Sequence, residues 1–495
     1  MVFWADLHNH NEVGYGVGRL ERSYDLASCL LDVYAFSPHT WWPDLPTNDP
    51  KTRAKHERGF RKTAENWATL EKTVRSYYRP DRLVTLLAWE WHSLRWGDYV
   101  MYFPGDTGTF TYASTLDELK HAAESAGALI LPHHIGYSVG ARGLDWDSLD
   151  PGLSPVVEVY SEHGSSFEPY SVRSMYGHSM GGVRRRQTAL HQVASGRRVG
   201  FTGGTDHHDG YPGSYGLGLT AVRTDRLTRE AVFDALRARH VYAVTGDRIE
   251  ADFRLADARF GDVTTRSAVG NEPLSLSVRG WAPLLAVEVL HNGRPETVLT
   301  QADLLEAASV GHRPAPTDEH IVRIEWGWDG LGSTAVTRWE GEIRFDADAP
   351  VGVMPCFAGG PGSVEHTDTL IVGDDSVVFT SHTSRRNDQP VSGIAARWTG
   401  GPAASVMLRL EGASATGAFS INRRITKAEL LENDVQVAVH DRFTAPKLKV
   451  HALVPISQTD LEATLETEVQ PGDNVMMRIT QQNGQMAWVS PIWVD

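Results

Sequence analysis

The chain has 495 residues, 41% hydrophobic and 22% charged, the balance of a folded protein long enough for two or three domains. A formal charge of −15 argues against a surface that neutralises nucleic-acid backbones, whereas a small anionic substrate stays compatible because a bound cation inverts the local field. No apolar run approaches the ~20 residues of a membrane helix, no signal-peptide pattern precedes the first motif, and Cys29 and Cys356 stand too far apart to suggest a disulfide framework, so a cytoplasmic protein is expected.

The chain opens on VFWADLHNHNE. Val2, Phe3 and Trp4 suit a strand, and alternation then sets Asp6, His8 and His10 on one face. Alone, that face fits a solvated edge strand or half of a metal site. A helix is expected over 22–31, and LDVYAFSPHT reads as a strand ending at His39. TWWPDLPTNDP, rich in Trp and Pro, fits a rigid lid or a packing seam for the next helix. Phe60, Ala64, Trp67, Leu70 and Val74 repeat every three or four residues and predict one long helix over 52–77. RLVTLLAWEWH is a strand with Glu90 at its exit. Thr115 and Glu118 have capping-box spacing and open a helix that stops at Gly127. ALILPHH, PVVEVYSEHG and RRVGFTGGTDHHDG follow as strands. They carry His133 and His134, then Glu158 and His163, then Asp206, His207 and His208 at their ends. A helix opened by Thr228 precedes the strand VYAVTGD.

This is the rhythm of βα units on a parallel sheet. Polar residues recur at the C-terminal ends of the strands, where loops converge over one mouth. Thirteen of the 21 histidines lie in the first 210 residues, so the chemistry is expected there. From about residue 250 short alternating segments such as LSLSVRG and VMLRLEG dominate. Thr426 to Leu431 is a helical exception, and Asn483-Gly484 is a hairpin signal. The expected organisation is an α/β unit over residues 1–248 and one or two β-sandwich modules over 249–495.

Asp6, His8, His10, His39, Glu90, His133, Glu158, Asp206 and His208 offer nitrogen and oxygen donors without a thiolate. That mixture suits Mn²⁺, Zn²⁺ or Fe²⁺. The donors are too many for one ion and fit two or three divalent ions that share a bridging carboxylate. The motifs ADLHNH, FSPHT, LLAWEWH, LPHH and GGTDHH resemble those of the polymerase and histidinol phosphatase (PHP) superfamily. LTREAVFDALRARHVYAVTGDRI and MRITQQNGQMAWVSPIWVD resemble an uncharacterised bacterial branch of it with a β-rich C-terminal extension. The resemblance implies a distorted seven-stranded β/α barrel, a trinuclear metal centre and phosphoester hydrolysis. It implies His8 and His10 on a first ion with Asp206 and a bridging Glu90. His39 and His208 would serve a second ion, and His133 a third that shares Glu90. Two places depart from the family pattern. Where the family often supplies a further ligand, this chain has Gly14-Tyr15-Gly16, with Glu12 the nearest carboxylate. Where a histidine is expected soon after the bridging glutamate, the chain offers Asp98, with His92 closer to Glu90.

Further candidates are less specific. Asp6 is expected to orient a ligand, His134 to point the other way if its strand persists and to support a ligand or the fold, and His207 to turn out. Glu158 and His163 read as ligands, substrate contacts or ion-pair partners. Arg184, Arg185 and Arg186 form a basic run, either a solvated face or, through Arg184 and Arg186, a grip on a phosphate or carboxylate. Tyr211, in GYPGSYG, is a candidate for the entrance. The leading expectation is a metal-dependent hydrolase acting on a small anionic phosphoester, with His8, His10, Glu90, Asp98 and Asp206 as its catalytic set. Amide, ester or lactone hydrolysis or a lyase reaction on the same centre is a second expectation, and a non-catalytic binding platform a third. Neither nucleic acid nor membrane is an expected partner, and self-association stays open.

Overall fold

The computed structural model describes residues 1–46, 48–175, 180–265, 270–303, 318–328, 335–346, 350–401, 403–442 and 444–495. Thr47, in the expected lid, lies outside them. The first half carries strands β1 (Val2–Asp6), β2 (Val33–Phe36), β3 (His39–Trp41), β4 (Val84–Trp91), β5 (Asp98–Phe103), β6 (Leu129–His133), β7 (Val156–Ser161), β8 (Gly164–Ser165), β9 (Gly200–Gly203), β10 (Leu219–Arg223) and β11 (Val241–Val244). Its helices are α1 (Leu20–Leu30), α2 (Pro50–Glu65), α3 (Trp67–Tyr77), α4 (Leu116–Ala126), α5 (Ala189–Ala194) and α6 (Arg229–Arg237).

β1, β2 and β4 pair in parallel, and β4 is buried along its whole length, as its apolar run from Leu86 to Trp89 favours. Alternate residues face two cores. Ala5, Val33, Ala35, Leu86 and Ala88 pack with Val232 and Leu236 of α6. Tyr34, Phe36, Leu87 and Trp89 belong to the larger cluster that includes Tyr24 of α1 and Leu70 and Val74 of α3.

The helix expected over 52–77 is two. Asn66 stands between α2 and α3 at φ −101°, ψ 4°, and its side-chain amide donates to Lys62 O at 2.8 Å, competing with the backbone ladder. Asp49 caps α2 ahead of Pro50. At α4 only half of the expected capping box forms. Thr115 accepts from Glu118 N, while the Glu118 carboxylate accepts from Ser114 N. The complete reciprocal box caps the short helix Lys427–Glu432, through Thr426 and Glu429.

The distorted seven-stranded β/α barrel expected from the family resemblance does not appear as a closed barrel among the described residues. β5 runs antiparallel to both β4 and β6, and β10 and β11 are also antiparallel additions. Among the described residues, β7, β8 and β9 form a separate sheet. Its edge is met by side chains instead of a backbone ladder: Phe201 N donates to Ser490 Oγ at 2.9 Å and Gly203 N to Thr220 Oγ1 at 3.1 Å. The result is a mixed α/β unit with an open strand order.

The second half is rich in antiparallel strands arranged in several sheets. The sheet containing His320–Gly327 and Val391–Trp398 faces the sheet containing Thr337–Asp346 and Ser376–Thr383. Trp326 stacks on Phe379 with ring centroids 4.2 Å apart, and Phe345 meets Trp398 at 5.9 Å. The hairpin signalled by Asn483-Gly484 joins Asn474–Gln481 to Met486–Val494, with Gly484 at φ 77°. Strand pairing crosses the division expected at 248 and 249: Tyr242 of β11 registers with Val489, so the final hairpin extends the sheet of the first half.

Candidate metal centre

β1 ends at Asp6, but the chain stays extended through Asn9, which bridges His207 in parallel. His8 and His10 therefore still point the same way and are almost wholly buried. Asp6 faces elsewhere. Its oxygens accept from Thr205 N, Thr205 Oγ1, Gly213 N and His8 N, so it clamps the two loops that carry the histidines and Asp206. Burial raises its pKa to about 6, against the lowering effect of the Thr205, Gly213 and His8 bonds.

Glu90, at the C-terminal end of β4, lies at the centre of the cluster. Its Oε2 stands 3.5 Å from His10 Nε2, 3.4 Å from His39 Nε2 and 3.9 Å from His8 Nε2. Its Oε1 stands 2.9 Å from His133 Nε2 and 3.3 Å from His92 Nδ1. Register explains this convergence, because β3 pairs with the end of β4 and sets His39 opposite Glu90. Asp206 Oδ1 is 2.9 Å from His10 Nε2 and 3.4 Å from His8 Nε2. His208 closes the outer side, its ring centroid 4.4 Å from that of His10, and it is about one-third exposed.

The donors fit divalent ions. Two donors each ~2.1 Å from one ion at a tetrahedral angle stand about 3.4 Å apart. The nitrogens of His8 and His10 are 3.2 Å apart, and the trios His8–His10–Asp206, His8–Glu90–His133 and His10–His39–His208 each bring ligand atoms within 4.8 Å of one another. Glu90 Oε2 is buried with no hydrogen-bond partner among the described residues. Burial, reinforced by His208, pushes His10 down to about 3, and burial with His10 lowers His39, whereas Asp206 and Glu158 raise His8 against burial. Burial alone would raise Glu90; His92, His39 and His133 outweigh it and hold the carboxyl well below its ordinary range.

Other side chains fix this set. His8 Nδ1 lies 3.1 Å from Glu158 Oε2, the arrangement that orients a ligating imidazole. His163 links Asp206 Oδ2, at 3.1 Å, to the hydroxyl of Tyr137, at 2.9 Å. Asp98 is fully buried and lies 3.1 Å from His92 Nδ1, the same nitrogen that faces Glu90. Glu12 is half-buried, and among the described residues no ion pair joins it to the cluster.

Several expectations are corrected. The strand does not persist through His134, which stands at φ 31° and brings its Nε2 3.4 Å from Asp98 Oδ2, in a supporting position beside the cluster. Tyr211 does not line the entrance. It is 1% exposed and donates to Asp368 Oδ2 at 2.7 Å, beneath the second half. Arg184 and Arg186 are exposed; Arg184 donates to Ser138 Oγ, and neither meets the cluster. His207 is turned out as expected, onto Asp388 at 2.6 Å. Of the Trp pair, Trp42 walls the cluster beside His92, with ring centroids 5.3 Å apart, whereas Trp41 packs on Phe60 of α2.

Sequence reasoning missed Arg142, Tyr15 and Glu162. Arg142 donates through Nε to Asp98 Oδ2 at 2.6 Å, and Tyr15 stacks on His39 with centroids 3.5 Å apart. Glu162 lies 3.3 Å from His208 Nδ1 and helps raise that histidine to about 8, against burial, which lowers it. Arg142 follows the LPHH strand in GYSVGARG, with no spacing to flag it.

Comparison with known proteins places these features beside uncharacterised relatives. A family described as a protein of unknown function (DUF3604) matches residues 197–265, a span that includes Asp206 and His208. An uncharacterised protein of Chlamydia pneumoniae is 28% identical over 46% of this chain and 40% of its own length. Uncharacterised proteins of Chlamydia trachomatis and Chlamydia muridarum are 25% and 28% identical, each over 59% of this chain and 48% of their own length. The chain thus spans less than half of these relatives. A solved two-domain protein of Bacteroides vulgatus, described as containing a predicted PHP-like metal-dependent phosphoesterase, is 11% identical, with a TM-score of 0.31 over 86% of this chain and 95% of that one. No helix among the described residues is long and apolar enough to cross a membrane.

Proposed function

We propose that this chain is a metal-dependent hydrolase with a phosphoester as its favoured substrate. The observation that supports this reading is the convergence of His8, His10, His39 and His133 on the two oxygens of Glu90, with Asp206 against His8 and His10, in a buried cluster without a thiolate. His8, His10 and Asp206 would hold one ion and His39 with His208 another, with Glu90 shared between them. When bound, such ions lower the pKa of water and stabilise charge that builds on the attacked group. The chain's own residues do the rest. Glu158 fixes the His8 ring through Nδ1, His163 fixes the Asp206 carboxylate, and Trp42 and Tyr15 shield one side of the cluster from water. The motif resemblance favours a phosphoester over other bonds.

A second reading, amide, ester or lactone hydrolysis, draws on one observation: Arg184 and Arg186 are exposed and make no contact with the cluster. Assays of phosphomonoesters, phosphodiesters and carboxylic esters, with Mn²⁺ or Zn²⁺ and with a chelator control, separate the two. Turnover of a phosphoester that E90Q abolishes is expected. Turnover of carboxylic esters alone would overturn the first reading in favour of the second.

A further inference from the structure

We infer that the guanidinium of Arg142 takes the place of a third cation in the cluster, so that the centre accepts two divalent ions. This deepens the metal-centre reading above and rests on it. The donors fall on two sides of Glu90. Around Oε2 stand His8, His10 and His39, with Asp206 and His208 beyond them. Around Oε1 stand His133 and His92, with Asp98 and His134 beyond. The second side has the makings of a further ion site, because Asp98, His133 and His134 bring ligand atoms within 4.8 Å of one another.

Arg142 already sits in that second set. Its Nε donates to Asp98 Oδ2 at 2.6 Å, its Nη2 pairs with the same oxygen, and Nη2 lies 3.1 Å from His92 Nδ1. A guanidinium keeps its charge under all ordinary conditions and accepts no hydrogen bond. It therefore repels a second cation from the atoms it holds. Asp98 is committed on its other oxygen as well, which accepts from Ser93 N at 3.0 Å. Whichever tautomer His92 adopts, its Nδ1 is engaged, by Arg142 or by the two carboxylates. The placement is built into the loop. Arg142 sits at φ 67°, a Cβ on the next residue, Gly143, would meet Tyr137 O at 2.0 Å, and the guanidinium lies 5.1 Å from the centre of the Trp42 ring. A long, charged side chain is thereby held inward, 17% exposed, beside a fully buried carboxylate.

The test is a metal count on the full chain, stripped with a chelator and then dialysed against Mn²⁺ or, separately, Zn²⁺, read by elemental analysis and by titration calorimetry. Wild-type protein is expected to retain two ions per chain. R142M removes the charge, frees Asp98 and is expected to retain three. Three ions on wild type, or only one, would overturn the inference and leave the metal centre in place. No ion on wild type overturns both. A folded R142M that still takes two ions overturns the exclusion argument. Should R142M fail to fold, the wild-type count decides alone.

Discussion

Glu90 and Glu158 show how two carboxylates can serve one cluster in different ways. Glu90 presents both oxygens to imidazoles, whereas Glu158 touches one, at the ring nitrogen of His8 that faces away from Glu90. E158Q keeps the shape and weakens that bond, and is predicted to weaken Mn²⁺ binding about 10–100-fold in calorimetric titration. Unchanged affinity would show that the His8 ring is held by packing alone. The strand-end positions of His8, His10, His39, Glu90, His133 and Asp206 were legible in the sequence, because alternation and strand endings fix which way such side chains face. His134 and Arg142 were not, since both take a positive φ that no local pattern announces.

The loop that follows β9 carries Asp206 and His208 and is gripped from the second half of the chain. His207 reaches Asp388, Tyr211 reaches Asp368, and Arg22 donates to the carbonyls of Asp209, Gly210, Ser363 and His366. Tyr211, read as part of an entrance, is thus buried in a seam. Sequence periodicity cannot reveal such a seam, because its partners lie more than 150 residues away. Y211F would leave a carboxylate oxygen of buried Asp368 short of a donor and is predicted to cost about 1–3 kcal/mol, read as a lower urea midpoint with unchanged slope. An unchanged midpoint would mean that the hydroxyl adds nothing to the seam. The break at Asn66 was equally hidden, for the apolar spacing runs through it unbroken.

Across the whole molecule, Asp247 joins the halves. Its carboxylate accepts from Tyr215 at 2.6 Å, Arg323 at 2.9 Å, and Gln481 and Asn483 at 2.7 Å each, and it is fully buried. D247A would leave Arg323 only the more distant Glu325 as a carboxylate partner and is predicted to cost about 3–5 kcal/mol, measured by denaturant unfolding. Burial raises the Asp247 pKa, but Arg323 and the hydrogen bonds outweigh it and leave it below the ordinary 3.8. Its contribution is therefore complete above that ordinary value and is lost as pH falls through the folded value. Wild type should lose stability below about pH 4 more steeply than D247N; parallel curves would contradict this. The β-rich second half was evident from its short alternating segments. That its last hairpin extends the first sheet was not, because register between distant strands leaves no local trace.

Anomalous diffraction from crystals soaked in manganese would locate any bound ions without reference to turnover. Peaks are predicted between Glu90 and the side chains of His8, His10 and Asp206, and between Glu90 and those of His39 and His208. Density at saturating manganese that shows these side chains in place and no anomalous peak among them would contradict the metal centre and the hydrolase reading with it.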